Sequence, residues 1–122
     1  MKIKISIGDL SMEGELNQSV TAMKVAEALP IKASFNTWGE EIYFTIPVQA
    51  ELDETGREEV GIGDLGYWPT GRAFCIFFGP TPMSEPGKIV PASPVNLIGR
   101  VMGDATEFKR VMKENEVRLE KA

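Results

Sequence analysis

The sequence predicts a mainly β protein, a barrel or sandwich of about eight short strands with two helices as lids. Three observations lead to this prediction: short stretches in which apolar and polar residues alternate, glycine and proline between these stretches, and only two segments with helical spacing. Lys2–Ile7 alternates strictly, with three isoleucines on one side, as is typical of a strand with one buried face. Many short strands separated by turns are characteristic of barrels and sandwiches.

The same reasoning places the other elements in chain order. Small apolar residues recur at helical spacing over Val20–Leu29, and Pro30 ends this predicted helix. Asp104 and Glu107 form a capping-box pattern that begins the second helix. Five prolines in Gly79–Pro94 predict an ordered irregular loop. Strands are predicted at Lys2–Ile7, Leu10–Leu16, Ile31–Trp38, Ile42–Pro47, Glu58–Val60, Leu65–Trp68, Ala73–Phe78, Val95–Met102 and Glu116–Glu120.

Length and charge limit the classes of protein that the chain can belong to. Its 122 residues suit one domain, which we place at residues 1–122. The net charge is −5, and acidic and basic residues are mixed along the chain without a basic run. This balance argues against a nucleic-acid partner and against an anionic membrane surface.

Cysteine and histidine usage narrows the chemistry. Cys75 is the single cysteine, which excludes an internal disulfide and fits a reducing compartment. Its place in the apolar run AFCIFF indicates a buried structural thiol. Histidine is absent, so the commonest general base and transition-metal ligand are missing. With no secretory segment and no apolar run of about 20 residues, we expect a cytoplasmic protein without a metal or cofactor.

The most informative segment is Gly63–Pro82, which reads GDLGYWPTGRAFCIFFGPTP. It predicts two buried strands joined by a tight turn and followed by a rigid loop. Its aromatic residues would supply stiff apolar walls for a ligand, and it contains no nucleophile–base pair. The prediction is therefore a binding site that is aromatic and poor in titrating groups.

Three charged residues are the candidates for catalysis. Glu40 and Glu41 are the acidic pair beside aromatic residues, but neighbours on a strand point to opposite faces, so a turn or bulge must re-aim one for both to enter one site. An apolar wall would raise the pKa of either glutamate toward the working range of a general acid or base. Arg72 lies at a predicted hairpin tip, where solvation is the simpler interpretation.

Four motifs together resemble a family. They are NTWGEEIYF at Asn36–Phe44, GDLGYWPTGRA at Gly63–Ala73, FFGPTP at Phe77–Pro82 and PASPVNLIG at Pro91–Gly99. They are similar to motifs of the small bacterial and archaeal cyclophilin-like proteins, which are distant relatives of the cyclophilin prolyl isomerases. This resemblance spans nearly the whole chain. It implies a closed eight-stranded barrel capped by two α-helices, with a shallow groove on the barrel wall where a cyclophilin binds a proline-containing peptide.

The sequence departs from cyclophilins at the positions that the resemblance links to catalysis. The region that corresponds to their F-H-R-V-I segment, Phe35–Ile46, contains no arginine. Ala73 stands in place of a glutamine, Cys75 in place of a phenylalanine and Ile89 in place of a histidine. Arg72 could supply the missing guanidinium only from a strand tip. The comparison therefore predicts a groove without efficient isomerase chemistry.

The favoured hypothesis is a binding module for a peptide or a small apolar molecule. The predicted ligand-binding residues are Trp38, Tyr43, Phe44, Tyr67, Trp68, Phe74 and Phe78. Three alternatives stay open: a true prolyl isomerase, an enzyme of another class that uses Glu40 or Glu41, and a structural homo-oligomer such as a homodimer. All three are compatible with a barrel that exposes aromatic residues. The fold alone does not decide among them, because one fold can support many functions.

Overall fold

The computed structural model describes all 122 residues and shows a mainly β chain with ten strands. Alternation of apolar and polar residues is clearest in Lys2–Ile7, Leu10–Leu16 and Glu116–Lys121, whose inward positions are almost completely buried. The strands are β1 Lys2–Ile7, β2 Leu10–Leu16, β3 Ile31–Ser34, β4 Asn36–Thr37, β5 Glu41–Thr45, β6 Gly56–Arg57, β7 Asp64–Trp68, β8 Ala73–Phe77, β9 Val95–Val101 and β10 Glu116–Lys121. The strand predicted at Glu58–Val60 is replaced by β6 and by an isolated bridge from Val60 to Ile89.

The strands form one antiparallel sheet in the order β3-β10-β1-β2-β9-β7-β8-β5-β4, and β6 also pairs with β9. The predicted mainly β class with two helices is confirmed, whereas the closed eight-stranded barrel is not, because the sheet is open and has ten strands. Its two ends, β3 and β4, are consecutive in the chain and separated by the buried Phe35. The chain changes partner there: β3 pairs with β10, and β4 pairs with β5.

Three helical segments accompany the sheet, and the shortest is a single 3₁₀ turn over Pro69–Gly71, between β7 and β8. The α-helix α1 spans Val20–Ala28, and the side chain of Ser19 caps it by accepting a hydrogen bond from the backbone of Ala22. The second predicted helix is a 3₁₀ helix over Ala105–Val111, capped by Asp104. Its buried residues recur every third position, at Ala105, Phe108 and Val111, a spacing that fits three residues per turn.

Strand β8 is buried on both of its faces, and this burial creates two separate apolar clusters. Phe74 and Ile76 join the main core on the inner face. Cys75 and Phe77 point the other way, because successive side chains alternate across a strand. The outer cluster consists of Val60, Ala73, Cys75, Phe77, Ile89 and Val95, with Tyr43 and Trp68 packed against it. The Gly79–Pro94 segment contributes Ile89 to this cluster and so covers part of the outer face.

No helix of the structure is both long and apolar enough to cross a membrane.

Candidate functional site

A cavity opens beside the outer cluster, between β5, β7 and the end of the Gly79–Pro94 segment. Its volume is about 190 Å³. It is lined by Trp38, Glu41, Tyr43, Trp68, Pro91, Ala92 and Val95. Most of this lining is apolar, and Glu41 is its one carboxylate. The cavity therefore combines stiff aromatic walls with a single acidic group.

Glu41 reaches the cavity because a tight turn precedes it. Gly39 has a φ of +61°, and a Cβ atom there would lie 2.8 Å from the carbonyl oxygen of Pro80, so the turn needs glycine. The backbone N–H of Trp38 donates to the carbonyl oxygen of Glu41 at 2.9 Å. After this turn Glu41 is the first residue of β5 and lies on the same face as Tyr43.

Glu41 is almost completely buried, with 5% of its surface exposed. Burial raises the pKa of its carboxyl group from 4.5 to about 7, and the neighbouring Cys75 thiol offsets part of this rise. Burial also raises the pKa of the Cys75 thiol well above its ordinary value, so this thiol stays protonated near neutral pH. The site therefore contains a carboxyl group whose pKa is raised to about 7 by its apolar surroundings.

Glu40 takes no part in the cavity. Its carboxylate lies 3.5 Å from the ammonium group of Lys109, and both side chains are partly exposed. The two neighbouring glutamates thus have different surroundings: Glu40 forms a surface ion pair, and Glu41 faces an apolar cavity. Glu40 is consequently a matched control position for experiments on Glu41.

The aromatic walls are held in place by the surrounding structure. The rings of Tyr43 and Trp68 meet edge to face, with centroids 6.2 Å apart and planes at 85°. The indole N–H of Trp68 donates to the hydroxyl of Ser93 at 2.6 Å. This hydrogen bond ties a wall on β7 to the segment that covers the outer face, so the cavity is preformed.

Gly71 leaves room for the Trp68 ring, and replacing it with alanine is expected to displace this wall. A Cβ atom at Gly71 would lie 2.7 Å from two ring carbons of Trp68. We expect Gly71→Ala to lower the free energy of unfolding by about 1–3 kcal/mol, as overpacking commonly does, and to shift the indole signal of Trp68 in an NMR spectrum. Gly61→Ala is the control, because its Cβ would meet only Asp64 at 3.6 Å. An unchanged Trp68 signal in Gly71→Ala would contradict this packing.

Several residues predicted to form the site lie elsewhere. Trp38, Tyr43 and Trp68 come together in the cavity, but four other predicted ligand-binding residues are buried in the main core: Phe44, Tyr67, Phe74 and Phe78. The rings of Phe44 and Phe74 stack there at 5.3 Å. The hydroxyl of Tyr67 donates to the carbonyl oxygen of Val48 at 2.6 Å. Arg72 is exposed, has a φ of +48° and does not line the cavity.

Three lining residues, Pro91, Ala92 and Val95, were not among the predicted site residues. They belong to the PASPVNLIG motif, and the similarity of this motif to the cyclophilin-like family is the sequence feature that could have indicated them. Alternation along β5 also distinguishes Glu41 from Glu40, because Glu41 is two residues from Tyr43 and its side chain therefore lies on the same face of the strand. No group of three or more cysteine, aspartate or glutamate residues is arranged to hold a metal ion.

The fold and the site define a small mainly β protein with an aromatic, carboxylate-containing cavity on the outer face of its sheet. A family model described as "Cyclophilin-like" matches residues 1–120, and the chain belongs to this family. Its structure is similar to the solution structure of the hypothetical protein AF2241 from Archaeoglobus fulgidus, with 41% sequence identity and a TM-score of 0.83. That match covers 100% of this chain and 95% of the archaeal chain. Among curated proteins, none matches this chain.

Proposed function

We propose that this protein is a binding module that takes a small molecule or a peptide side chain into the cavity between Trp38, Tyr43 and Trp68. The observation that carries the proposal is the preformed aromatic cavity itself. Stiff aromatic walls lose little conformational entropy when a ligand binds, and they offer a large contact area. Ligand pockets are usually concave, mostly apolar and supplied with a few polar groups, as this cavity is.

The size of the cavity limits its ligand. Pockets for drug-sized molecules typically measure about 300–1,000 Å³, whereas this cavity measures about 190 Å³. The ligand, or the part of it that enters, is therefore small. A single short side chain or a molecule of similar size fits this space.

Efficient prolyl isomerase activity is not part of the proposal. That reaction requires stabilisation of a twisted amide across a barrier of about 18–20 kcal/mol. No arginine lines the cavity, and the nearby hairpin residue Arg72 is exposed. We expect no acceleration of cis–trans exchange in a proline tetrapeptide assay coupled to proteolysis. Clear acceleration at micromolar protein would favour the isomerase alternative.

The two tryptophans are built-in reporters for a binding test, because both line the cavity. In ¹H–¹⁵N spectra of the wild-type chain, we expect members of a fragment and short-peptide library to shift both indole N–H signals. The variant Ala92→Phe narrows the cavity at an exposed lining residue and should weaken these shifts. Met83→Phe, an exposed position on the same segment outside the lining, is the matched control. No indole shift across a diverse library would overturn the proposal.

A second candidate function, proton transfer by Glu41 as a general acid or base, is favoured by one observation. A carboxyl group with a pKa near the working pH is suited to this role. Ligands found in the screen can be incubated with the protein and followed by NMR for chemical change. Glu41→Gln should slow any such change by about 10²–10⁴-fold, whereas Glu40→Gln should leave it intact. Bound ligands that remain unchanged in the wild type would exclude this candidate.

A further inference from the structure

Glu41 is a buried carboxyl group without a positive partner in the protein. The ion pairs of the structure involve other acidic residues, and no lysine or arginine lines the cavity. Buried carboxylates are normally paired with a cation or strongly hydrogen-bonded. Here the neighbouring Cys75 thiol is only a weak donor. The charge of Glu41 is therefore available to a ligand.

The other walls of the cavity favour the same kind of ligand. The faces of tryptophan and tyrosine rings carry negative electrostatic potential and attract cations within about 6 Å of the ring centre. Trp38, Tyr43 and Trp68 all line the cavity, and the planes of Tyr43 and Trp68 are nearly perpendicular. The edge of one of these rings meets the face of the other, and both side chains border the cavity. Three aromatic residues and one buried carboxylate thus surround a single small space.

We propose that this cavity binds an alkylated ammonium group, with Glu41 as its counter-ion and Trp38, Tyr43 and Trp68 as its aromatic walls. This inference rests on the proposed binding function and names the chemical class of the ligand. The occupant is a small molecule or a peptide side chain whose positive nitrogen carries methyl or other alkyl groups. Its charge complements both the carboxylate and the net charge of −5 on the chain.

Alternative ligands fit the lining less well. A primary ammonium group has three N–H donors and a guanidinium group has five, and each donor needs an acceptor when buried. The lining offers one carboxylate among mostly apolar groups. A quaternary ammonium group has no N–H donors, so its apolar surface can contact the rings directly. A hard cation such as Ca²⁺ or Mg²⁺ requires about six oxygen ligands, and an anion would be repelled by Glu41.

Binding of a cation should depend on pH, because the ionised form of Glu41 is the form that binds. The titratable groups that face Glu41 are Tyr43 on the same strand and Cys75 on β8, while β7, β9 and the Gly79–Pro94 segment present apolar residues to the cavity. The pH dependence of the affinity for a cation is therefore set by the carboxyl pKa of Glu41, which is about 7. Affinity should fall about tenfold for each pH unit below 7 and become constant above about pH 8.

The test uses choline and its neutral isostere 3,3-dimethylbutan-1-ol, which have the same shape and differ in charge. At pH 8 we expect choline to shift both indole signals of the wild-type chain with an affinity about tenfold or more above that of the alcohol. Equal affinities would overturn the ammonium assignment. This comparison needs no mutation, so its outcome does not depend on whether a variant folds.

Two variants test the role of Glu41, and a second ligand distinguishes a peptide side chain from a free small molecule. Glu41→Gln should reduce the preference for choline and abolish its pH dependence, whereas Glu40→Gln, which removes an acid outside the cavity, should preserve both. A short peptide whose one charged side chain is trimethyllysine provides the other arm. Tighter binding of the peptide would assign the ammonium group to a peptide side chain, and tighter binding of choline would assign it to a free molecule; both support the proposal.

The two proposals can fail separately. If the neutral isostere or other uncharged fragments shift the indole signals and choline does not, the ammonium inference fails and the binding function stands. If neither choline nor any other library member shifts the two signals, both proposals fail.

Discussion

Replacing Glu41 with glutamine is expected to remove a large, pH-dependent penalty on stability. The carboxyl pKa is 4.5 when unperturbed and about 7 in the folded protein, where burial disfavours the charged form. Below pH 4.5 both the folded and the unfolded chain carry this proton. As the pH rises from 4.5 to 7, the unfolded chain releases it first, so the wild type loses stability across this range. Above pH 7 the penalty is constant.

The size of the effect follows from the pKa change. A rise from 4.5 to about 7 is equivalent to roughly 3 kcal/mol. We therefore compare the free energy of unfolding of Glu41→Gln with that of the wild type at each pH. The difference in favour of the variant should grow by up to about 3 kcal/mol as the pH rises from 4 to 8. Urea denaturation of both proteins at pH 4, 5, 6, 7 and 8 measures this difference.

Two features make this test specific to Glu41. The pKa values of Asp53 and Asp104 are lowered by hydrogen bonds from Thr55 and Thr106, so their contributions change below about pH 4 and not in this range. Glu40→Gln removes a carboxylate that is paired with Lys109 at a half-exposed site and should leave the pH profile nearly unchanged. A pH-independent difference between the wild type and Glu41→Gln would show that Glu41 is not buried in an apolar environment.

Truncating Phe74 is expected to have the largest effect on stability. Its side chain is fully buried in the main core and stacks on Phe44. Phe74→Ala should lower the free energy of unfolding by about 3–5 kcal/mol, because burial energy is lost and a cavity remains. Equilibrium urea denaturation measures this loss. Met83→Ala, at an exposed position, should change stability by less than about 0.5 kcal/mol.

This result also separates core residues from cavity walls. Phe74 was a predicted ligand-binding residue, but its ring lies on the inner face of β8, away from the cavity. A loss below about 1 kcal/mol in Phe74→Ala would mean that this face is not a packed core. Under conditions where Phe74→Ala remains folded, ligands should still shift the two indole signals of this variant.

Much of the fold could be predicted from local sequence patterns. The strands Lys2–Ile7, Leu10–Leu16 and Glu116–Lys121 follow alternation of apolar and polar residues, and α1 follows helical spacing and the Ser19 cap. The shape of the sheet could not be predicted in this way. Its open ends depend on the change of partner at Phe35, where the chain leaves β10 and joins β5. Such pairing involves residues far apart in sequence.

The lining of the candidate cavity could be predicted in part. The aromatic segments indicated a pocket, and Trp38, Tyr43, Trp68 and Glu41 do line one cavity. Phe44 stands next to Tyr43 in sequence but lies on the opposite face of β5. Because both are aromatic, their residue type alone suggests that both line the cavity. The alternation of side chains along a strand places Tyr43 and Phe44 on opposite faces.

The sequence by itself determined most of the strands, the α-helix and the two sets of side chains on the longer strands, because these depend on residues close together in the chain. Only the tertiary structure decided which outer-face residues became buried. The Gly79–Pro94 segment covers β8, and with Trp38 and Trp68 it encloses Glu41 in an apolar cavity. A glutamate at the start of a strand is usually solvated. Its pKa is raised to about 7 and its carboxyl group faces aromatic rings only because distant segments exclude water from it.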